Sequence, residues 1–141
     1  MILQVKRLRP SAILPCRGTP HSSGLDIFTD IHITIYPGKD YLYPTGLAFN
    51  IPEGYDLSVY NKSGVCTKKK LIKGAELIDF DYTGEVHIHL FNLSDDEQRF
   101  EPKQKIAQLV LRPVMYPDIQ EVETIEKITD RGSGGFGSTG N

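Results

Sequence analysis

The 141-residue sequence has only two cysteines, Cys16 and Cys66, and they form no CxxC pair. That spacing indicates neither a zinc site nor a disulfide framework, so a reduced, intracellular protein of the cytoplasm is expected. No apolar run reaches membrane-spanning length. The opening stretch MILQVKRL is too short and too charged to read as a signal peptide. Charge of one sign is not in excess either: 16 Lys and Arg stand against 18 Asp and Glu, a formal net charge of -2. A general nucleic-acid or membrane-surface binder is thereby disfavoured, and neither partner is expected. No long window carries a helical period, and no segment repeats.

Alternation of period two takes the place of helical patterning. In IHITIY (31–36), Ile31, Ile33 and Ile35 share a face. In GLAFNI (46–51), Leu47, Phe49 and Ile51 do so, and in YDLSVY (55–60), Tyr55, Leu57 and Val59. EVHIHLFN (85–92) sets Val86, Ile88 and Leu90 against His87 and His89. Such segments are half-buried strands. Pro37-Gly38, Pro44, PEG (52–54), KG (73–74) and Pro102 punctuate them. Only SGVCTKKK (63–70) suggests a short helical turn. Many short strands between Gly/Pro turns predict one all-β domain, a barrel or sandwich, with 39% hydrophobic residues to fill its core.

The composition changes at the end. Eight of the last eleven residues, RGSGGFGSTGN (131–141), are Gly, Ser or Thr. Gly132, Gly134 and Gly137 spell G-x-G-x-x-G, but no helix or βαβ unit follows, so the dinucleotide-binding reading fails. A P-loop reading fails as well, because Ser138 stands where its lysine belongs. The local chemistry remains. Glycines let several backbone N–H groups converge on an anion. Ser133, Ser138 and Thr139 add hydroxyls, and Arg131 adds a planar fork that suits phosphate. Phe136 offers a flat face on which a base can stack. A disordered Gly/Ser tail is the plain alternative.

Taken together, these segments resemble the trimeric dUTPases, a family marked by five short motifs in fixed order. SSGLDIF (22–28), NKSG (61–64), ELIDFDYTGEV (76–86), KIAQLVL (105–111) and RGSGGFGSTG (131–140) are similar to them in turn. The resemblance implies a distorted jelly-roll β-barrel (residues 1–129) that assembles as a homotrimer, with active sites at the subunit boundaries. It further implies a C-terminal arm (130–141) that is swapped over a neighbour's active site. Ordering such an arm costs about 1–2 kcal/mol per residue, so contacts with the nucleotide must offset it, and the arm would act as a lid.

The implied reaction is hydrolysis of dUTP to dUMP and pyrophosphate by water attack at the α-phosphorus. It would keep uracil out of DNA and supply dUMP for dTMP synthesis. Asp79, which as an acid between Ile78 and Phe80 also reads as a simple turn aspartate, would be the general base. Asp81 would be closer to structural. Tyr82, otherwise an ordinary strand aromatic, would pack on the deoxyribose and leave no room for a 2′-hydroxyl. Asp26, otherwise a turn cap, would help hold Mg2+ through water. Lys62, Ser63 and Gly64 would contact phosphates, as would Gln108, which otherwise reads as a satisfied core glutamine. Arg131, Phe136, Gly137, Ser138 and Thr139 would complete the substrate site.

Backbone groups between Lys73 and Asp79 would read uracil. The sequence departs from the family here: Asn61 and Lys62 replace its usual Pro-Arg, Lys73 replaces Asn and Glu76 replaces Gly. His87 and His89 form an H-x-H pair that can bind zinc, but no third ligand is evident, and a solvent or interface face is the expectation. Two other functions stay open at this point: a dCTP deaminase-like enzyme of the same fold, and a non-catalytic nucleotide-sensing or protein-binding module.

Overall fold

A computed structural model describes residues 1–125, 129, 132 and 134. The alternating segments form β1 (Gln4–Arg7), β2 (Cys16–Arg17), β3 (Leu25–Phe28), β4 (Ile33–Ile35), β5 (Asp40–Pro44), β6 (Leu47–Asn50) and β7 (Tyr55–Tyr60). After the helix α1 (Ser63–Lys69) come β8 (Leu71–Lys73), β9 (Leu77–Ile78), β10 (His87–Asn92), β11 (Gln98–Phe100) and β12 (Lys105–Pro113). Each of the pairings is antiparallel. The sheets run β1-β6, β5-β10-β8, β11-β4 and β2-β3-β12-β7-β9. This is an all-β jelly-roll chain, and antiparallel ladders of this kind bury one face of each strand.

The alternation sets which side chains enter the core. Ile88 and Leu90 of β10 are buried, while His87 and Phe91 face outward. Ile33 and Ile35 enter the core with Leu47, Phe49, Ile51, Leu57 and Val59. Tyr43 is fully buried, and its hydroxyl donates to Asp30 Oδ1 at 2.5 Å. Burying a side chain of the Leu/Ile class contributes about 1.5–3 kcal/mol.

Several expectations need amendment. Ile31 is exposed and precedes β4. Asp56 and Ser58 are as buried as their apolar neighbours, and Asp56 is satisfied by Arg112 of β12, whose Nη2 lies 2.7 Å from Asp56 Oδ2. Pro44 ends β5 rather than making the turn. The turn falls on Gly46, at φ 70°, where a Cβ would stand 2.7 Å from the Cβ of Ala12. The helical turn after Ser63 does form, as the seven residues of α1, and Lys70 ends it in the left-handed region at φ 54°.

Candidate active site

Strand β12 lies at the centre of the five-stranded sheet, and its polar residue meets one group of the side chains expected at the site. Gln108 stands directly opposite Asp26 of β3 and Tyr60 of β7. Residues so placed share a face of the sheet. Gln108 Nε2 donates to the Asn61 carbonyl at 2.9 Å, which fixes the amide. Gly24 makes room for it, since a Cβ there would lie 2.2 Å from Gln108 Oε1.

Asp26 is 4% exposed, and both of its oxygens are engaged. Lys62 Nζ lies 2.5 Å from Oδ1, and Lys105 Nζ lies 2.7 Å from Oδ2. Burial alone would push this carboxyl up; the hydrogen bonds and charges of Lys105 and Lys62 outweigh it and hold Asp26 below the usual carboxylate range. The same contact raises Lys105. Lys62 is the N-cap of α1, so Ser63 and Gly64 open its first turn and are exposed. A Cβ on Gly64 would meet nothing within 4 Å. Internal packing therefore does not require glycine there, whereas close approach of a ligand to the backbone would.

A second group gathers around Asp79. Strand β9 stops at Ile78, so Asp79 is exposed in a turn where its carbonyl accepts the Tyr82 N–H at 3.1 Å. Asp79 thus stands where the turn reading of LIDFDY places it, just past the end of the strand. Among the described residues, the Asp79 carboxylate accepts no hydrogen bond and faces no cation. It lines a cavity of about 240 Å3 together with Ala75, Leu77, Ile78, Tyr82, Glu85, Val86 and His87.

Tyr82 is braced within that cavity. Its hydroxyl donates to the Glu85 carbonyl at 2.8 Å, and its ring lies over Gly84, where a Cβ would come within 2.6 Å of the hydroxyl. Glu85 is anchored in turn: its Oε1 accepts the Gly46 N–H at 2.6 Å and faces Arg9 Nη1 at 3.0 Å. Arg9 also forks onto both oxygens of Asp30, at 2.9 Å each. That hydrogen bond holds Asp30 well below the usual carboxylate range and raises Arg9.

The two groups sit at opposite ends of β7. Ile78 pairs with Leu57, so Asp79 lies near the start of the strand, while Lys62 follows its end. At about 3.3 Å per residue the six positions from Asp56 to Lys62 separate the groups by roughly 20 Å. Among the described residues, the Asp79 cavity has no Lys or Arg in its lining, and the phosphate-suited lysines line a different cavity, of about 370 Å3, with Gly64, Val65 and Phe100.

The histidine pair shows no metal geometry. His87 Nδ1 lies 2.9 Å from the Glu85 carbonyl, and His89 Nε2 lies 2.9 Å from Asp40 Oδ2. No group of three His, Cys, Asp or Glu fit for a metal occurs among the described residues. Arg131, Phe136, Gly137, Ser138 and Thr139 lie outside the described residues.

Comparison with known proteins settles the family. The dUTPase family model matches residues 10–140. The chain belongs to the dUTPase family. A deoxyuridine 5'-triphosphate nucleotidohydrolase of Hydrogenobaculum sp. (strain Y04AAS1) is 41% identical over 143 residues, covering 99% of each chain. One from Oryza sativa subsp. japonica is 38% identical over 139 residues, covering 99% of this chain and 81% of the relative. The solved dUTPase of Staphylococcus bacteriophage 80alpha with dUPNHPP superposes with a TM-score of 0.91 at 30% identity, over 99% of each chain.

Sequence reasoning singled out Asp26, Lys62, Gln108, Asp79 and Tyr82 of this dUTPase but missed four residues that hold them. Lys105 and Glu85 lie inside the quoted motifs, so a count of charges within KIAQLVL and YTGEV would have found them. Asn61 was noticed only as a departure. Arg9 had no signal, since its partners are 21 and 76 positions away.

Proposed function

We infer that the protein hydrolyses dUTP to dUMP and pyrophosphate. The observation that carries this reading is the unpaired Asp79 carboxylate in a cavity that also holds the braced Tyr82 ring. Asp79 accepts a hydrogen bond from a water molecule and takes its proton as the water oxygen attacks the α-phosphorus. The bond from that phosphorus to the bridging oxygen breaks in line, and pyrophosphate leaves. Tyr82 packs against the deoxyribose and excludes a 2′-hydroxyl by bulk. Main-chain groups of 73–79 read the uracil edge. Lys62, Ser63, Gly64 and Gln108 bind the phosphates. Arg131, Phe136, Gly137, Ser138 and Thr139 close over the nucleotide as the arm of residues 130–141.

Magnesium is the ion this reading assigns. Asp26 and the Gln108 amide oxygen are hard ligands on one sheet face, but Asp26 already carries two ammonium groups, so an ion would meet it through water. Magnesium held there through water would supply charge neutralisation to the triphosphate.

A homotrimer is the assembly that suits this division of labour. Among the described residues, the base-and-sugar cavity of one subunit lacks cations, and its phosphate-suited lysines stand roughly 20 Å away along β7. A neighbour's lysine group and a neighbour's arm complete each site. Among the described residues, no helix is long and apolar enough to cross a membrane; a cytoplasmic enzyme with no nucleic-acid or membrane partner is the reading adopted.

The test is incubation with dUTP and, separately, dCTP in heavy-oxygen water. Pyrophosphate release with the label in dUMP supports attack at the α-phosphorus. Label in pyrophosphate, or ammonia released from dCTP, would overturn it.

A further inference from the structure

Residues 73–79 are held to β7 at two places: the pairing of β9 with β7, extended by the Val59 N–H to the Glu76 carbonyl at 2.8 Å, and, at the Lys73 root, one side chain. Asn61 Oδ1 accepts the Lys73 N–H at 2.7 Å, while the carbonyl of the same Asn61 accepts Gln108 Nε2 at 2.9 Å. One residue thus joins the hairpin to the strand pair that carries Gln108, one position before Lys62.

Two further contacts fix the same root. Gly74 donates its N–H to the His89 carbonyl at 2.8 Å, and a Cβ on Gly74 would lie 2.3 Å from His89 Nδ1. Lys73 and Glu76 form an ion pair with each other across the bend. These are two of the positions that depart from the family pattern, and here their side chains satisfy one another.

We propose that Asn61 is a positioning residue for base discrimination, holding the 73–79 main chain in the one register that admits uracil and excludes thymine. The proposal rests on the reading of 73–79 as the base-binding hairpin. A methyl group is rejected by a wall only if the wall stays put, and a main-chain wall is as rigid as its root. Loss of the Asn61 acceptor leaves the Lys73 N–H without its protein partner and loosens the hairpin at its root, while Leu77 and Ile78 stay paired with β7.

The experiment compares kcat/KM for dUTP and for dTTP in the wild type, Asn61→Ala and Asn61→Asp. Both nucleotides carry the same triphosphate, so the ratio cancels any effect of the substitutions on phosphate binding. The dUTP preference is expected to fall about tenfold or more in Asn61→Ala and to be restored in Asn61→Asp, which keeps an acceptor oxygen in place. A ratio within about twofold of wild type in Asn61→Ala, or an Asn61→Asp that matches Asn61→Ala, overturns the proposal. Amide exchange in the wild type tests it without any substitution: the Lys73 amide should exchange about tenfold or more slowly than that of Ala75, and equal rates would contradict the tie. A wild type with no preference for dUTP would overturn the functional reading itself, whereas a wild-type preference unchanged by Asn61→Ala removes only the role of Asn61.

Discussion

Lys62 Nζ lies 2.5 Å from Asp26 Oδ1, so the residue assigned to the phosphates is, without nucleotide, the partner of the residue assigned to the metal waters. Arginine, usual in the family, would offer a two-pronged contact to the same carboxylate; lysine is a point charge on a flexible stem that can move between carboxylate and phosphate. Lys62→Ala is expected to raise KM for dUTP by about tenfold or more and to lower stability by about 1–2 kcal/mol, with Lys105 still neutralising Asp26. Lys62→Arg should retain both. Steady-state kinetics and thermal melting check this; a Lys62→Ala enzyme with wild-type KM would remove Lys62 from the phosphate site.

Gly84 is constrained by Tyr82 rather than by its own backbone. A Cβ at that position meets the Tyr82 hydroxyl at 2.6 Å, and Tyr82 cannot then keep its bond to the Glu85 carbonyl. Gly84→Ala should displace the sugar wall and raise the use of UTP relative to dUTP by about tenfold. Competition between the two nucleotides in one assay reads the ratio directly, and an unchanged ratio argues that the wall lies elsewhere.

Acid stability follows from two carboxylates. Asp30 is held low by the Arg9 hydrogen bond, and Asp26, despite its burial, by Lys105 and Lys62. A depressed carboxyl stabilises the fold above its unfolded value, about 3.9, and that stability is lost as pH falls through the lower folded value. The melting temperature should therefore hold down to about pH 5 and drop steadily below about pH 4. Asp30→Asn should be less stable at neutral pH and show a shallower acid decline. Melting curves from acid to neutral pH decide it, and parallel declines in the two proteins would count against the Arg9–Asp30 pair as the source.

Removal of residues 131–141 should lower dUTP turnover by about a hundredfold while leaving the melting temperature and the number of chains in the assembly unchanged. Mixing the truncated chain with full-length Asp79→Asn, followed by reassembly, should restore activity, because each then supplies what the other lacks. Sedimentation and turnover of the mixture test this; full activity in the truncated protein alone would show that the arm is dispensable.

Strand positions were legible because period-two alternation directly encodes which side chains enter a core; Ile88 and Leu90 against His87 needed no other information. Gln108 was legible for the opposite reason, as a polar side chain in an apolar strand. Burial of Asp56 and Ser58 was not, since the Asp56 partner, Arg112, comes from another strand, a fact of topology. Neither was the partner of Asn61, because its bond goes to a backbone N–H, which carries no sequence signal. Asp79 was legible as a turn aspartate, and it does stand exposed just after β9 ends at Ile78.

The role of Asp79 is tested most directly by Asp79→Asn, measured for dUTP hydrolysis and, by calorimetry, for binding of a non-hydrolysable dUTP analogue with magnesium. An amide keeps the shape and the hydrogen-bonding oxygen but takes no proton, so turnover should fall roughly a thousandfold with binding preserved. Hydrolysis at the wild-type rate would contradict the account at its centre.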